Sequence, residues 1–343
     1  MKKHAIIPIF IPHKGCNNDC IFCNQHKITA NIKEVSPKDV VNIADTWLDT
    51  LQGKVPHIEM AFFGGSFTGL DIDDQNKYLE VAKKYKSEGK IKKIHISTRP
   101  DYIDEKILYN LKLYGVDVIE LGVQSFDNNV LCLSKRGHTA EDVYKSSKII
   151  KEFGFILGIQ LMIGLPGDTE QTALYSAHET VKLEPEIARL YPTVIIENTK
   201  LAEEYRAGRY QPLEEREMVR RTAAMYRIID SAGINIIRVG LKSSDIINDE
   251  GAVLGHTYHP AFRQLVEGLI AREDIEKKIN KLKNTEPASL KLEANSKYFS
   301  NLIGHQRNNK EYFANKYSKI KFIYKRNSSL KNGEYKVSIF END

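Results

Sequence analysis

Short apolar runs alternate with amphipathic stretches along most of the chain. Ala5–Ile11, Ile58–Phe63, Ile91–Ser97, Val116–Val123, Phe155–Ile163, Ile187–Ile196 and Ile234–Val239 are dense in Ile, Val, Leu and Phe and predict strands. Between them Pro37–Leu51, Asp73–Ser87, Asp104–Tyr114, Ala140–Phe153, Thr169–Leu183 and Leu213–Ala232 carry helical periodicity. Ser36 followed by Pro37 is a helix start signal. Gly115, Gly154 and Gly233 each fall just past a helical stretch, where a left-handed residue ends the helix. Strands alternating with helices predict parallel βαβ units, and the mostly apolar strands suit a sheet covered on both faces. In barrels of this type the chemistry sits at the C-terminal ends of the strands. The unusual residues fall there. A cysteine-rich loop follows the first strand, and Gly64-Gly65-Ser66-Phe67 follows the second. Ser97-Thr98-Arg99 ends the third, Glu120 and Gln124 lie in and just past the fourth, and Gln160 and Gly164-Leu165-Pro166-Gly167 close the fifth.

After about Gly240 the pattern changes, which divides the chain into a barrel over 1–240 and an extension over 241–343. In the extension Tyr258–Arg272 is amphipathic, Asp274–Lys283 predicts a charged helix, and Ile320–Tyr324 with Glu334–Phe340 predicts a β-hairpin around Asn327–Gly333. The 343 residues are 41% hydrophobic and 28% charged, ample for a large core. No apolar stretch approaches the ~18 residues that cross a bilayer. Between Ala271 and Asp343 there are 16 Lys and Arg against 9 Asp and Glu. That stretch carries +7, so the remainder of a chain of net charge +5 carries −2. A basic tail of this kind recruits phosphate-rich partners or is simply a solvated lysine-rich surface.

Three of the four cysteines are clustered: Cys16, Cys20 and Cys23, in GCNNDCIFCNQ. Three thiolates on one short loop can hold three irons of a [4Fe–4S] cube and leave the fourth iron without a protein ligand, since full ligation takes four. Zinc is the alternative, with His13 or His26 as a fourth ligand. A disulfide framework does not fit so few cysteines in a long chain that opens MKKHAIIPIF without a signal peptide. The cysteines therefore predict a metal-binding, cytoplasmic protein. Cys132, between Leu131 and Leu133, is expected to be a small buried hydrophobe. His256 and His259 have metal-ligand spacing if helical, but Pro260 follows at once.

The CNNDCIFC run fits the C-x-x-x-C-x-aromatic-C motif, and the chain resembles the radical S-adenosylmethionine superfamily. Within it STRPDYI, ELGVQS, KRGHTAEDV, LMIGLPGDT and RLYPTVIIENTKLAEEYRAGRYQPL resemble the radical domain of the Elongator catalytic subunit, and GAVLGHTYHPAF its bacterial relatives. The resemblance covers roughly residues 4–270. It implies an α/β fold, a partial TIM-type (β/α)6 barrel with a small C-terminal α+β appendage. It also implies a [4Fe–4S] cluster on Cys16, Cys20 and Cys23, with S-adenosylmethionine as second cofactor. One electron passed through the cluster would cleave S-adenosylmethionine to methionine and a 5′-deoxyadenosyl radical that abstracts hydrogen from a substrate.

Further residues follow from that resemblance. Gly64, Gly65 and Ser66 match the motif whose backbone meets the methionyl amino group. By similarity to oxygen-independent coproporphyrinogen oxidase, Gln124 would hydrogen-bond the ligand, Arg136 would face its carboxylate and Gln160 would reach the ribose. Gly164 and Leu165 would flank the adenine through backbone contacts, with Ser97 and Arg99 as further ligand contacts. Phe22 would pack on the cluster or the adenine, or else belong to barrel packing. Tyr191, Glu197, His256, Tyr258 and His259 are candidates to line a substrate opening. No side chain is assigned a catalytic role. The chain departs from the Elongator subunit in its tighter cysteine spacing and in having no length for an acetyltransferase domain. The implied substrate is a tRNA base, with a small molecule or a non-catalytic cluster protein as alternatives. A flavodoxin or ferredoxin is the implied electron donor.

Overall fold

The computed structural model describes residues 3–11, 16, 19–24, 35–241, 253–282 and 287–340. The chain forms two compact units, residues 1–214 with 225–258, and residues 215–224 with 259–343. Among the described residues no helix is long and apolar enough to cross a membrane.

The first unit is built on β1 (His4–Ile11), β2 (His57–Gly64), β3 (Lys93–Thr98), β4 (Val118–Gln124), β5 (Ile156–Ile163), β6 (Ile187–Pro192) and β8 (Asn235–Val239). These seven strands pair in that order, every pair parallel, into one curled sheet. The connecting helices are α1 (Pro37–Leu51), α2 (Ile72–Ser87), α3 (Glu105–Leu113), α4 (Asn128–Leu133), α5 (Ala140–Glu152), α6 (Glu170–Leu183), α7 (Lys200–Arg206) and, from Met225 on, α8 (Glu215–Ser231). The result is a half-barrel of six βα units closing on a seventh strand. Ile187–Ile196 is not one strand: the ladder ends at Pro192, which has no N–H to continue it. The chain then turns so that β7 (Ile195–Ile196) pairs antiparallel with β9 (Val253–Leu254).

Local chemistry sets the element ends. The Ser36 side chain accepts from Asp39 N while Asp39 Oδ2 accepts from Ser36 N, a reciprocal box that opens α1. Thr139 and Asp142 do the same for α5, and Thr169 with Thr172 for α6. Gly115, Gly154 and Gly233 have φ of 75°, 80° and 80°, the left-handed geometry that ends a helix.

The two faces of the sheet differ. Ile7, Ile9, Ile94, Ile96, Ile119 and Leu121 are fully buried, as in any helix-covered parallel sheet. The opposite, concave face carries a cluster of polar residues that the mostly apolar reading of the strands does not anticipate. It carries Glu59, His95, Glu120 and Arg189, all buried. Arg189 Nε donates to Glu120 Oε2 at 2.6 Å, Arg189 Nη1 donates to Tyr191 Oη at 3.1 Å, and the guanidinium lies 4.9 Å over the Phe63 ring. Burial opposes the Arg189 charge, but Glu120 outweighs it and holds the pKa above the ordinary arginine value. Gly158 makes room for this pair: a Cβ there would stand 3.1 Å from Glu120 Cγ and 2.9 Å from Ile187 Cγ1. His95 Nε2 is 3.7 Å from Glu120 Oε2, too long for a hydrogen bond, and has no partner.

The second unit contains α9 (Phe262–Lys281), β10 (Ser289–Ala294), α10 (Phe299–Ile303), α11 (Asn308–Lys316), β11 (Lys321–Arg326) and β12 (Tyr335–Ile339). The two helices expected before and after Arg272 are one, α9. The expected hairpin does not form. β10 lies between β11 and β12, parallel to the first and antiparallel to the second. The buried Leu290, Leu292 and Ala294 of β10 meet Ala271, Ile275 and Ile279 of α9 and Phe313 of α11 in one core. A middle strand with an apolar inner face outcompetes direct pairing of its two neighbours.

Two outcomes follow. Phe313 is fully buried, so Phe313→Ala should cost about 3–5 kcal/mol, read as a lower denaturation midpoint of the second unit. Burial pushes the His95 imidazole down to about 4 despite the pull of Glu120, with Arg189 acting in the same direction as burial. Unfolded histidine takes its proton near pH ~6.5, so between those values the unfolded chain binds more protons and stability falls as pH falls. For His95 that loss is about 2 kcal/mol near pH ~5. Urea titrations near neutrality and near pH ~5 should show a smaller pH effect for His95→Gln than for the parent.

Candidate functional site

The site lies at the C-terminal ends of the strands, where the cysteine turn is tied to two distant segments. Ile21 N donates to Ser134 O at 3.2 Å, Leu201 N donates to Ile21 O at 2.7 Å, and Cys23 N donates to Cys20 O at 2.9 Å. Asn24 Nδ2 donates to Asn198 O at 3.2 Å, and Lys200 pairs with Asp19 at 2.6 Å. The turn is therefore fixed against the end of α4 and the start of α7. Ile21 is buried with Ile195, Leu201, Ala202 and Tyr210, and Phe22 packs on that same apolar cluster. Cys20 is buried, and Cys16 and Cys23 are half-buried. Cys132 is exposed, which corrects the expectation of a buried residue. In the short α4 it is Val130 and Leu131 that turn inward, leaving Cys132 and Leu133 outside.

Gly64 and Gly65 lock the second loop to the first strand. Gly64 has φ 110°, and a Cβ there would stand 2.6 Å from Ile11 O. Gly65 N donates to that same oxygen at 2.9 Å. Only glycine allows so close an approach. Ser66 is buried beside them, and Ser97, in the last turn of β3, is half-buried.

Gln124, Arg136 and Gln160 come together. β4 bulges between Gly122 and Gln124 where β5 advances only from Gln160 to Leu161, so Val123 is the extra residue. Gln124 sits at φ 69°, a left-handed conformation in a buried non-glycine residue, and its Oε1 accepts from Gln160 Nε2 at 3.3 Å. Arg136 Nη2 donates to Gly122 O at 2.5 Å and Nη1 lies 3.2 Å from Cys20 Sγ. Its Nε is buried with no partner among the described residues. Sequence reasoning does not single out Gly122, yet a Cβ there would stand 3.0 Å from Gln124 Nε2 and 3.4 Å from Arg136 Nη2. Its signal is its place in the ELGVQS run.

His138, which sequence reasoning also passes over, supports the bulge. Its Nε2 donates to the Val123 carbonyl at 3.1 Å, leaving Nδ1 bare, buried and unpartnered. Burial, then the Arg136 and Arg99 charges, push this imidazole down to about 3, so it stays neutral. Arg99 is buried and bidentate to Asp101, through Nε at 2.9 Å and Nη2 at 2.8 Å. Burial opposes its charge, but Asp101 and then the Cys20 and Cys16 thiols outweigh that and hold its pKa above the ordinary value.

The Gly164-Leu165 loop borders a cavity of about 680 Å³ shared with Ile21, Leu133 and Tyr210. Gly164 N donates to Asp168 Oδ2 at 2.8 Å, and its carbonyl accepts from Tyr210 Oη at 2.6 Å. Of the candidate opening residues, Tyr191 holds Arg189, Glu197 holds Arg206, and His256 sits in a turn at φ 51°. That turn rules out the helical His256–His259 pair. Tyr258 is buried on Val194 and Ile196. His259 belongs to the second unit, its ring 5.1 Å from His305. His13 and His26 lie outside the described residues.

The donor set suits an iron–sulfur cube better than one zinc ion. A structural zinc site closes with four ligands, whereas this turn offers three thiols, the number that holds three irons of a cube and leaves the fourth iron open. The Arg136 guanidinium also donates toward Cys20 Sγ, the kind of interaction that tunes an iron–sulfur centre where a thiolate holds one.

Comparison with known proteins agrees. Residues 10–178 match the Radical SAM superfamily and residues 185–272 the Radical_SAM C-terminal domain. The chain is 32% identical over 182 residues to the tRNA uridine(34) acetyltransferase of Methanocaldococcus jannaschii, covering 47% of this chain and 34% of that protein. It is 29% identical over 204 residues to human Elongator complex protein 3, covering 53% and 37%. It thus spans about a third of the length of these curated relatives. The structure of archaeal Methanocaldococcus infernus Elp3 with its N-terminus deleted superposes with a TM-score of 0.61 at 23% identity, over 81% of this chain and 64% of that one, and shows the same fold. Two adjoining family matches over most of the chain, the half-barrel and the three-cysteine turn at its mouth converge: the chain belongs to the radical S-adenosylmethionine superfamily and is a radical S-adenosylmethionine enzyme that uses a [4Fe–4S] cluster and S-adenosylmethionine.

Proposed function

We propose that the enzyme acts on a base of tRNA. The observation that carries this reading is the similarity to tRNA uridine(34) acetyltransferases and Elongator complex protein 3. When bound, the cluster and S-adenosylmethionine supply the one-electron chemistry, and the protein supplies position and shielding. Cys16, Cys20 and Cys23 hold the cluster. Arg136 faces the methionyl carboxylate with its unpartnered Nε and steadies Cys20 with Nη1. The backbone at Gly64, Gly65 and Ser66 meets the amino group. Gln124 and Gln160, already bonded to each other, present amides to the ligand. Ser97, Leu165 and the Gly164 backbone edge border its nucleoside, while Arg99, bound to Asp101, adds positive charge near the thiolates. A flavodoxin or ferredoxin in the cytoplasm delivers the electron.

The second unit supplies the phosphate-binding surface. Lys321, Lys325, Arg326 and Lys336 are exposed on β11 and β12. The second reading, a small-molecule substrate, is favoured by the cavity of about 680 Å³ beside the Gly164 loop, within the size range of small-ligand sites.

Anaerobic reconstitution should give close to four irons per chain. Cys20→Ala should lose them and Cys132→Ala should keep them, read by iron analysis and visible absorption; a parent chain that takes only zinc sinks the cluster assignment. Arg136→Ala removes a charge-assisted interaction of ~1.5–3 kcal/mol and should weaken S-adenosylmethionine binding about ten- to a hundredfold by equilibrium dialysis.

The substrate test is nucleoside mass spectrometry of a tRNA pool after anaerobic turnover, paired with filter binding. Phosphate binding releases counterions, so affinity should fall steeply with salt. Replacing Lys321, Lys325 and Lys336 together by Gln should flatten that salt slope by about one for each lysine–phosphate pair removed, with iron content unchanged. Salt-independent binding and unaltered tRNA would move the assignment to the small-molecule reading.

A further inference from the structure

At the opposite end of the half-barrel from the cysteine turn, three ligand-type side chains meet on β1 and β2. The register pairs His4 directly with His57, and Glu59 follows His57 by two residues on the same face. The His4 and His57 rings stand 5.2 Å apart, centroid to centroid. His4 Nε2 lies 3.2 Å, and His57 Nε2 3.0 Å, from one atom, Glu59 Oε1. All three ligand atoms fall within 4.8 Å of one another, and no other group of His, Cys, Asp and Glu among the described residues does so. With bonds of ~2.0–2.1 Å, two ligands of a tetrahedral zinc ion stand about 3.3–3.4 Å apart. The two imidazole-to-carboxylate separations need to open by only a few tenths of an ångström to admit the ion.

We propose that His4, His57 and Glu59 form a second metal site, for zinc or a similar late divalent cation, separate from the cluster. Two neutral imidazoles and one carboxylate are the donor set that zinc takes with water in the fourth position. The side-chain exposures of 45%, 37% and 10% leave the histidine side open for that water while the carboxylate is anchored inside. The strand geometry gives the ion its task. Among the described residues β1 is an edge strand, paired on one side only, and in sequence it leads into the cysteine loop. At its far end Ile11 O is held by Gly65 N. A metal joining His4 to His57 and Glu59 fastens the near end, so the strand that delivers the cluster ligands is secured at both ends.

The test uses the reconstituted holoenzyme, desalted and titrated anaerobically with zinc chloride against a chromophoric chelator, with iron and zinc measured on the same sample. The expected result is a single saturable zinc per chain in addition to the full iron complement, and a raised melting temperature with zinc. His4→Ala, at a half-exposed position, and Glu59→Gln should each weaken zinc binding at least about tenfold and abolish the thermal shift, with iron content unchanged. Zinc binding equal to the parent in His4→Ala, no saturable zinc in the parent, or zinc gained only as iron is lost would each overturn the proposal.

Discussion

The mouth of this half-barrel is organised around one guanidinium. Arg136 joins three stretches of chain that are remote in sequence: the β4 bulge through the Gly122 carbonyl, the cysteine turn through Cys20 Sγ, and its own loop between α4 and α5. A buried cation in such a place is costly unless acceptors surround it. Here a carbonyl and a thiol supply part of that compensation, and an Nε without a partner remains. The bulge, the neutral His138 beneath it and the glycine at 122 are each consequences of fitting this charge against the thiol. His138 donates to the Val123 carbonyl, which also accepts from Ser125 N, and Gly122 leaves room for both the guanidinium and the Gln124 amide.

Below the mouth a second charged arrangement governs the concave face. Glu120 and Arg189 neutralise each other in a region nearly closed to water, and His95 is kept uncharged beside them. A buried pair of this kind adds little net stability, because desolvation of both ions offsets their attraction. What it provides is a fixed polar surface facing the interior of the half-barrel, with Tyr191 held by the same arginine.

Much of this arrangement is legible in the amino-acid sequence, and the reasons differ by feature. The strands and helices of the first unit follow apolar runs and capping residues closely, because βαβ units are local in sequence: Ser36 and Asp39 box the start of α1 from within its first turn. The cysteine turn is legible because three thiols at that spacing have few other uses. The second unit is harder to read because its sheet order is non-local. Nothing in the segments around Asn327 reveals that Leu290 and Leu292, far upstream, will separate them. At Cys132 the flanking leucines suggest a buried run, whereas a six-residue helix buries only one side. The polarity of the concave face is hidden for a related reason. Glu59, His95 and Glu120 are scattered among apolar residues of three separate runs, and only pairing register shows that they share a face.

The bulge at Val123 has a consequence for how this protein can change over generations. Side chains alternate along a strand, so the one surplus residue decides which parity of β4 looks into the mouth. Deleting Val123 would restore a regular ladder and turn the Gln124 amide away from Gln160. Point substitution can vary this strand gradually, but its length cannot vary at all without exchanging the chemical character of the opening in a single step. The opening therefore depends more on the spacing of the Glu-Leu-Gly-Val-Gln run than on the identity of most of its letters.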